Sequence, residues 1–104
     1  MIVQLNTDKN IEGTARLESF VSEKLHAGLK HFVENITRIE VHLSDQNAEK
    51  GGKDDIQCKI ETRLEGIQPI LVVSKNESVE KSLGEAIDKM KAKLSTLKGK
   101  IKDR

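Results

Sequence analysis

Residues 36–43 read ITRIEVHL, and the alternation in this octet decides the fold class. Ile39, Val41 and Leu43 fall on one side of an extended chain, with Arg38, Glu40 and His42 on the other. Successive strand side chains point to opposite faces, so this is a strand with one apolar and one charged face. Such a strand belongs to a sheet covered on one side and open to water on the other.

Working outward, residues 44–55, SDQNAEKGGKDD, hold no apolar residue except Ala48 and read as a hydrophilic loop. Beyond it Ile56, Cys58, Ile60, Thr62 and Leu64 alternate with Gln57, Lys59, Glu61, Arg63 and Glu65, a third half-buried strand. Gly66 turns the chain into QPILVVSK (68–75), a fourth strand in which Pro69 suits an edge position. On the other side of the octet, Leu17, Phe20, Val21, Leu25, Leu29 and Phe32 recur at helical spacing over residues 13–32, with Thr14 as N-cap and Asn35 as the stop. Residues 1–7 alternate again, with Ile2, Val3 and Leu5, and form a short first strand. Ser78 caps a closing helix whose apolar stripe is Val79, Leu83, Ile87, Met90, Leu94, Leu97 and Ile101.

The order β-α-β-β-β-α predicts an α+β two-layer sandwich, a four-stranded mixed sheet with both helices on one face. The right-handed crossover through the first helix sets strands one and two parallel, and the remaining strands pair as antiparallel hairpins. At 104 residues one core is expected, with residues 1–104 forming a single domain.

Composition excludes several function classes. Two Phe and no Trp or Tyr leave few rings for stacking single-stranded bases. A lone Cys58 forms no internal disulfide, no apolar run reaches membrane-span length, and the N-terminus lacks a basic start followed by an apolar stretch. A cytoplasmic protein is expected. Asp45, Asn47 and Glu49 have the spacing of a calcium loop, but Lys50 occupies the position of the sharp-turn glycine and no glutamate closes the site. His26, His31 and His42 show no ligand spacing with Cys58, which lies on the inward face and is expected to be an inert buried thiol. Asp54 and Asp55 are adjacent and point apart, and nothing marks a nucleophile with its base. No enzyme, metal or cofactor is expected.

The net charge of +1 hides an asymmetry. Residues 1–74 carry 9 Lys and Arg against 12 Asp and Glu, or −3, whereas residues 75–104 carry 9 against 5, or +4. In the closing helix only Asp88 and Asp103 offset seven cations between residues 86 and 104. At 100° per residue Lys91, Lys98 and Lys102 line one flank of the apolar stripe, and Lys93, Lys100 and Arg104 the other, with Lys89 further round. Charge patterning alone favours a solvated helix whose long lysine stems cover apolar neighbours. Helices charged for solubility mix the signs more evenly, so a footprint for a polyanion is the competing expectation. The stripe is expected to bind the sheet, leaving the lysines no structural duty. The other reading is a protein-interaction module in which the stripe pairs with a partner helix.

The stretch AIDKMKAKLSTLKGK (86–100) resembles the closing helix of the ribosome hibernation-promoting factor and ribosome-associated inhibitor family, with its repeated KLxxQLxKxK character. VHLSDQNAEKGGKDDIQCKIETRLEGIQPILVV (41–73) is similar to a divergent branch with its own loop and a Cys in strand three. Glu80 stands where many relatives have Tyr, and the chain is expected to resemble the short type rather than the long relatives with a second, dimerising domain. The resemblance implies the same β-α-β-β-β-α sandwich and a stress-response factor that occupies the small ribosomal subunit and keeps idle ribosomes inactive. Its implied rRNA contacts are Lys89, Lys91, Lys93 and Lys98, extended by Lys100 and Lys102, on a protein that is monomeric when free and makes no membrane contact. Relatives described as modulators of a sigma factor give the interaction-module reading its family counterpart.

Overall fold

The computed structural model describes residues 1–46 and 55–102, with side chains through Lys98. Strand β1 (Ile2–Thr7) leads into helix α1 (Ala15–Gly28) and a 3-10 turn at Val33–Asn35. Strands β2 (Ile36–Asp45), β3 (Ile56–Leu64) and β4 (Ile67–Asn76) follow, and helix α2 (Val79–Lys102) closes the chain. The sheet order is β1-β2-β3-β4, with β1 parallel to β2 and the other pairs antiparallel. This is the mixed sheet that the alternation predicts.

The register builds the covered face in rows. Leu5, Val41, Ile60 and Val72 align across the four strands, flanked by Val3, Ile39, Thr62 and Ile70 on one side and Thr7, Leu43, Cys58 and Ser74 on the other. Ile39, Val41, Cys58 and Ile60 are fully buried, so the inward side of the ITRIEVHL octet is the centre of the core. From α1 come Val21 and Leu25, and from α2 Leu83, Ala86, Ile87, Met90 and Leu94. Burying a side chain the size of Leu94 stabilises by about 1.5–3 kcal/mol before the entropy of ordering it.

Local signals fix the element ends. Leu17 N donates to Thr14 Oγ1 at 3.1 Å and Lys81 N to Ser78 Oγ at 3.1 Å, so both expected N-caps form. Glu65 and Gly66 make the tight turn between β3 and β4, and Gly66 has φ +74°, a left-handed conformation that glycine adopts without a Cβ clash. One boundary differs from the sequence reading. Helix α1 ends at Gly28, short of Phe32, although Leu29 and Phe32 stay buried. A Cβ on Gly28 would lie 2.5 Å from Ile87 Cγ2, so the chain makes its close approach to α2 at a residue with poor helix propensity and leaves the helix there.

One end of the sandwich is tied by polar side chains. Glu85 of α2 accepts from Ser74 Oγ at 2.7 Å and Asn76 Nδ2 at 2.6 Å, and Ser82 Oγ donates to Ile56 O at 2.6 Å. These bonds fix the start of α2 over β3 and β4. The rest of that helix then lies along the sheet with its direction already set.

Candidate nucleic-acid interface

Between Lys89 and Lys102 helix α2 carries six lysines and no carboxylate. Its acidic residues, Glu80, Glu85 and Asp88, all belong to the first half. That polarity matches the helix dipole, which favours anions near the N-terminus and cations near the C-terminus. It also concentrates positive charge on one end of the sandwich.

The stripe between the lysines is occupied by the core: Met90 is fully buried and Leu94 is 2% exposed. Leu97 is half-buried, while the Ile101 side chain lies outside the described residues. From Leu83 to Leu94 the apolar face is used by the core and leaves no seam for a partner helix, so among the described residues the interaction-module reading keeps only the Leu97 end of the stripe.

Lys89, Lys91, Lys93 and Lys98 are all exposed, yet they are not equivalent. Lys89 Nζ donates to the Val73 carbonyl of β4 at 2.7 Å, and Lys93 Nζ reaches the Leu71 carbonyl at 3.5 Å, a long and weak contact. Strand β4 is a sheet edge, and unpaired edge carbonyls attract donors. On the opposite flank Lys98 Nζ stands 5.6 Å from the centroid of the Phe32 ring, in cation–π range. Lys91 has no hydrogen bond, ion pair or ring contact among the described residues. The expectation that all four lysines lack a structural duty is thus corrected for Lys89 and Lys93, which cap the sheet edge, and for Lys98, which covers Phe32. An ammonium has three donors, so each of these lysines keeps hydrogen-bonding capacity for a phosphate. The side chains of Lys100 and Lys102 lie outside the described residues.

The open face of the sheet differs in kind. Arg38 Nε pairs with Glu40 Oε1 at 3.2 Å and Arg63 Nε with Glu61 Oε1 at 3.3 Å, each two residues along one strand. Both arginines of that face are neutralised locally. Lys89, Lys93 and Lys98 of α2 instead meet neutral carbonyls or a ring, so no carboxylate among the described residues offsets their charge.

The remaining sequence candidates separate clearly. Cys58 is fully buried in β3, and burial pushes its thiol from 9.0 to about 12, leaving little of the nucleophilic thiolate at neutral pH. Of the calcium-like triad only Asp45 is described; it ends β2, and its amide donates to Asp8 Oδ2 at 3.0 Å. Asn47, Glu49, Lys50 and Asp54 lie outside the described residues. Among the described residues no group of three His, Cys, Asp or Glu is placed to hold a metal ion, and no helix is long and apolar enough to cross a membrane.

Solved structures share this architecture. The N-terminal domain of Protein Y from Thermus thermophilus superposes with a TM-score of 0.74 at 21% identity, over 93% of this chain and 99% of that one. A ribosomal subunit interface protein from Coxiella burnetii superposes with a TM-score of 0.77 at 17% identity, over 95% and 99% of the two chains. At these identities the likeness shows the fold. No curated protein matches the chain. The family described as sigma 54 modulation protein / S30EA ribosomal protein matches residues 6–102, and with nearly its whole length inside that match the chain belongs to this family.

Proposed function

We propose that this protein is a ribosome-associated, rRNA-binding translation regulator that occupies the small ribosomal subunit and keeps idle ribosomes inactive. Residues 1–104 would act as one non-enzymatic, cytoplasmic unit, monomeric when free and needing no cofactor. Family membership supports the ribosomal partner, as does the description of the Coxiella burnetii relative as a subunit interface protein. The observation that carries the rRNA contact is the run of six lysines on α2 with no carboxylate among them, beside a stripe already committed to the core. Phosphate neutralisation by such a row gives affinity without base stacking, which suits a chain with two Phe and no other aromatic residue.

Lys89, Lys91, Lys93 and Lys98 are the proposed contacts, with Lys100 and Lys102 extending the row. Co-sedimentation of the purified protein with isolated small subunits across a salt series tests this reading. Replacing the four lysines by Gln is expected to weaken binding by orders of magnitude at low salt. It should also flatten the salt dependence by about 0.7–0.9 log unit for each phosphate that is no longer neutralised. Wild-type affinity across the series, in a variant whose melting curve shows it folded, would remove α2 as the RNA-binding surface.

A further inference from the structure

The two edges of the sheet are finished differently. At β4 the chain places Pro69, which has no N–H to offer a neighbouring strand, and Lys89 and Lys93 reach the carbonyls of Val73 and Leu71. This edge is closed to another strand. Strand β1 pairs with β2 alone, and its outer edge carries no such device among the described residues. Val3 and Leu5 stand in the same rows as Ile39 and Val41, which are fully buried, but are themselves only half-buried.

Between β1 and α1 runs a groove of about 770 Å³, floored by Val3 and Leu5 and walled by Glu18, Ser22 and Glu23 of α1. Glu18 and Glu23 are exposed and have no ion-pair partner among the described residues. The carboxylates of the open sheet face, by contrast, each have an arginine. An unpaired strand edge, two incompletely covered apolar side chains and two carboxylates without an ion-pair partner among the described residues thus share one groove with the His26 imidazole, whose Nδ1 is held by Ser22 O at 2.8 Å.

We propose that the outer edge of β1 and this groove form a docking site for an extended basic segment of another protein. The segment adds to the sheet as a fifth strand beside β1. Main-chain hydrogen bonds supply affinity, alternate apolar side chains complete the cover over Val3 and Leu5, and lysine or arginine side chains reach Glu18 and Glu23. Charge selects the occupant: an acidic or neutral strand would leave both carboxylates facing no cation. The site lies on the opposite side of the sandwich from the β4 edge and uses none of the α2 lysines, so it stands independently of the rRNA reading.

The test uses the isotope-labelled full chain and a synthetic peptide of about ten residues alternating valine and lysine. Titration is expected to move the amide resonances of Ile2–Thr7 and Glu18–His26, with through-space contacts between the peptide backbone and β1. Glu18→Gln combined with Glu23→Gln should lower affinity by about twofold to tenfold at low salt, the range for two exposed ion pairs. Peptides N-methylated at alternate residues should fail in one of the two phases, because one phase removes the donors facing β1. The proposal is overturned by no resonance shift, by shifts confined to other elements, by oligolysine binding as tightly, or by full tolerance of N-methylation in both phases. Unchanged affinity in the double glutamine variant also overturns it. So does a dimer of the protein joined through β1 that the peptide does not displace, since the occupant is then a second copy.

Discussion

The two flanks of α2 carry the same residue type at similar exposure and do different things. On the β4 side Lys89 and Lys93 are one turn apart and bond to strand carbonyls, so their ammonium groups are held at the sheet edge. On the α1 side Lys91 and Lys98 are two turns apart; one is free among the described residues and the other stands over Phe32. Spacing alone makes these four lysines one row. The neighbours divide them into edge caps, a ring cover and an uncommitted charge, and only that last kind can be changed without touching the fold.

The largest way to break the comparison is to loosen the stripe between the flanks. Leu94→Ala is expected to cost about 2–5 kcal/mol, because a large side chain 2% exposed leaves a cavity when truncated. Both flanks would lose their positions together. A loss under about half a kcal/mol in denaturant melts would mean that α2 is not anchored to the sheet, and the distinction between its flanks would fail.

Next in size is the α1 side. Gly28→Ala places a methyl 2.5 Å from Ile87 Cγ2, and Ile87 is β-branched and stiff, so the helices must separate slightly. The expected cost is about 1–3 kcal/mol, the usual range for overpacking. Ile87→Val in the same background should recover part of it if the clash is with that side chain. An unchanged melt for Gly28→Ala would place the helix crossing elsewhere.

The β4 flank should give a smaller but measurable loss. Lys89→Gln with Lys93→Gln removes two donors from edge carbonyls, and the expected destabilisation is at the low end of about 0.5–1.5 kcal/mol, since the carbonyls can turn to water. The same variant leaves the β4 edge less protected, so self-association at high concentration is the second readout. Stability equal to the wild type would return these lysines to the class of simple surface charges.

Much of the architecture was legible because it rests on periodicity. The ITRIEVHL octet and the stripe from Leu83 to Leu94 each bury the residues that their alternation selects, and Thr14 and Ser78 cap where a short polar side chain precedes a helical run. The end of α1 was not legible, since Leu29 and Phe32 continue the apolar spacing after the backbone has left the helix. Burial by Ala86 and Ser82 was also hidden, because small residues carry little hydropathic signal. In the lysine row the sequence shows charge and angle but not partner. Lys89 bonds to a backbone carbonyl, which every residue of a strand offers equally, so no letter of β4 announces the contact. Pro69 marks β4 as an edge, and a lysine pair one turn apart on the helix beside that edge was the one available clue.

The smallest expected stability change belongs to Lys91, and it sharpens the comparison most. Lys91→Gln alters no hydrogen bond, ion pair or ring contact among the described residues, so its melting curve should stay within about half a kcal/mol of the wild type. If α2 contacts rRNA, the uncommitted charge is the one able to turn toward phosphate without giving up another bond. Lys91→Gln should then lower small-subunit affinity at low salt and reduce the salt slope by about 0.7–0.9 log unit, while Lys89→Gln mixes a binding loss with a folding loss. The contrast is read by plotting the change in affinity against the change in stability for the single variants. Lys91 is expected to fall on the binding axis and Lys89 away from both axes. If instead Lys91→Gln leaves affinity and slope untouched while Lys89→Gln lowers both at unchanged stability, the interface lies on the β4 flank, and the edge caps themselves are the phosphate contacts.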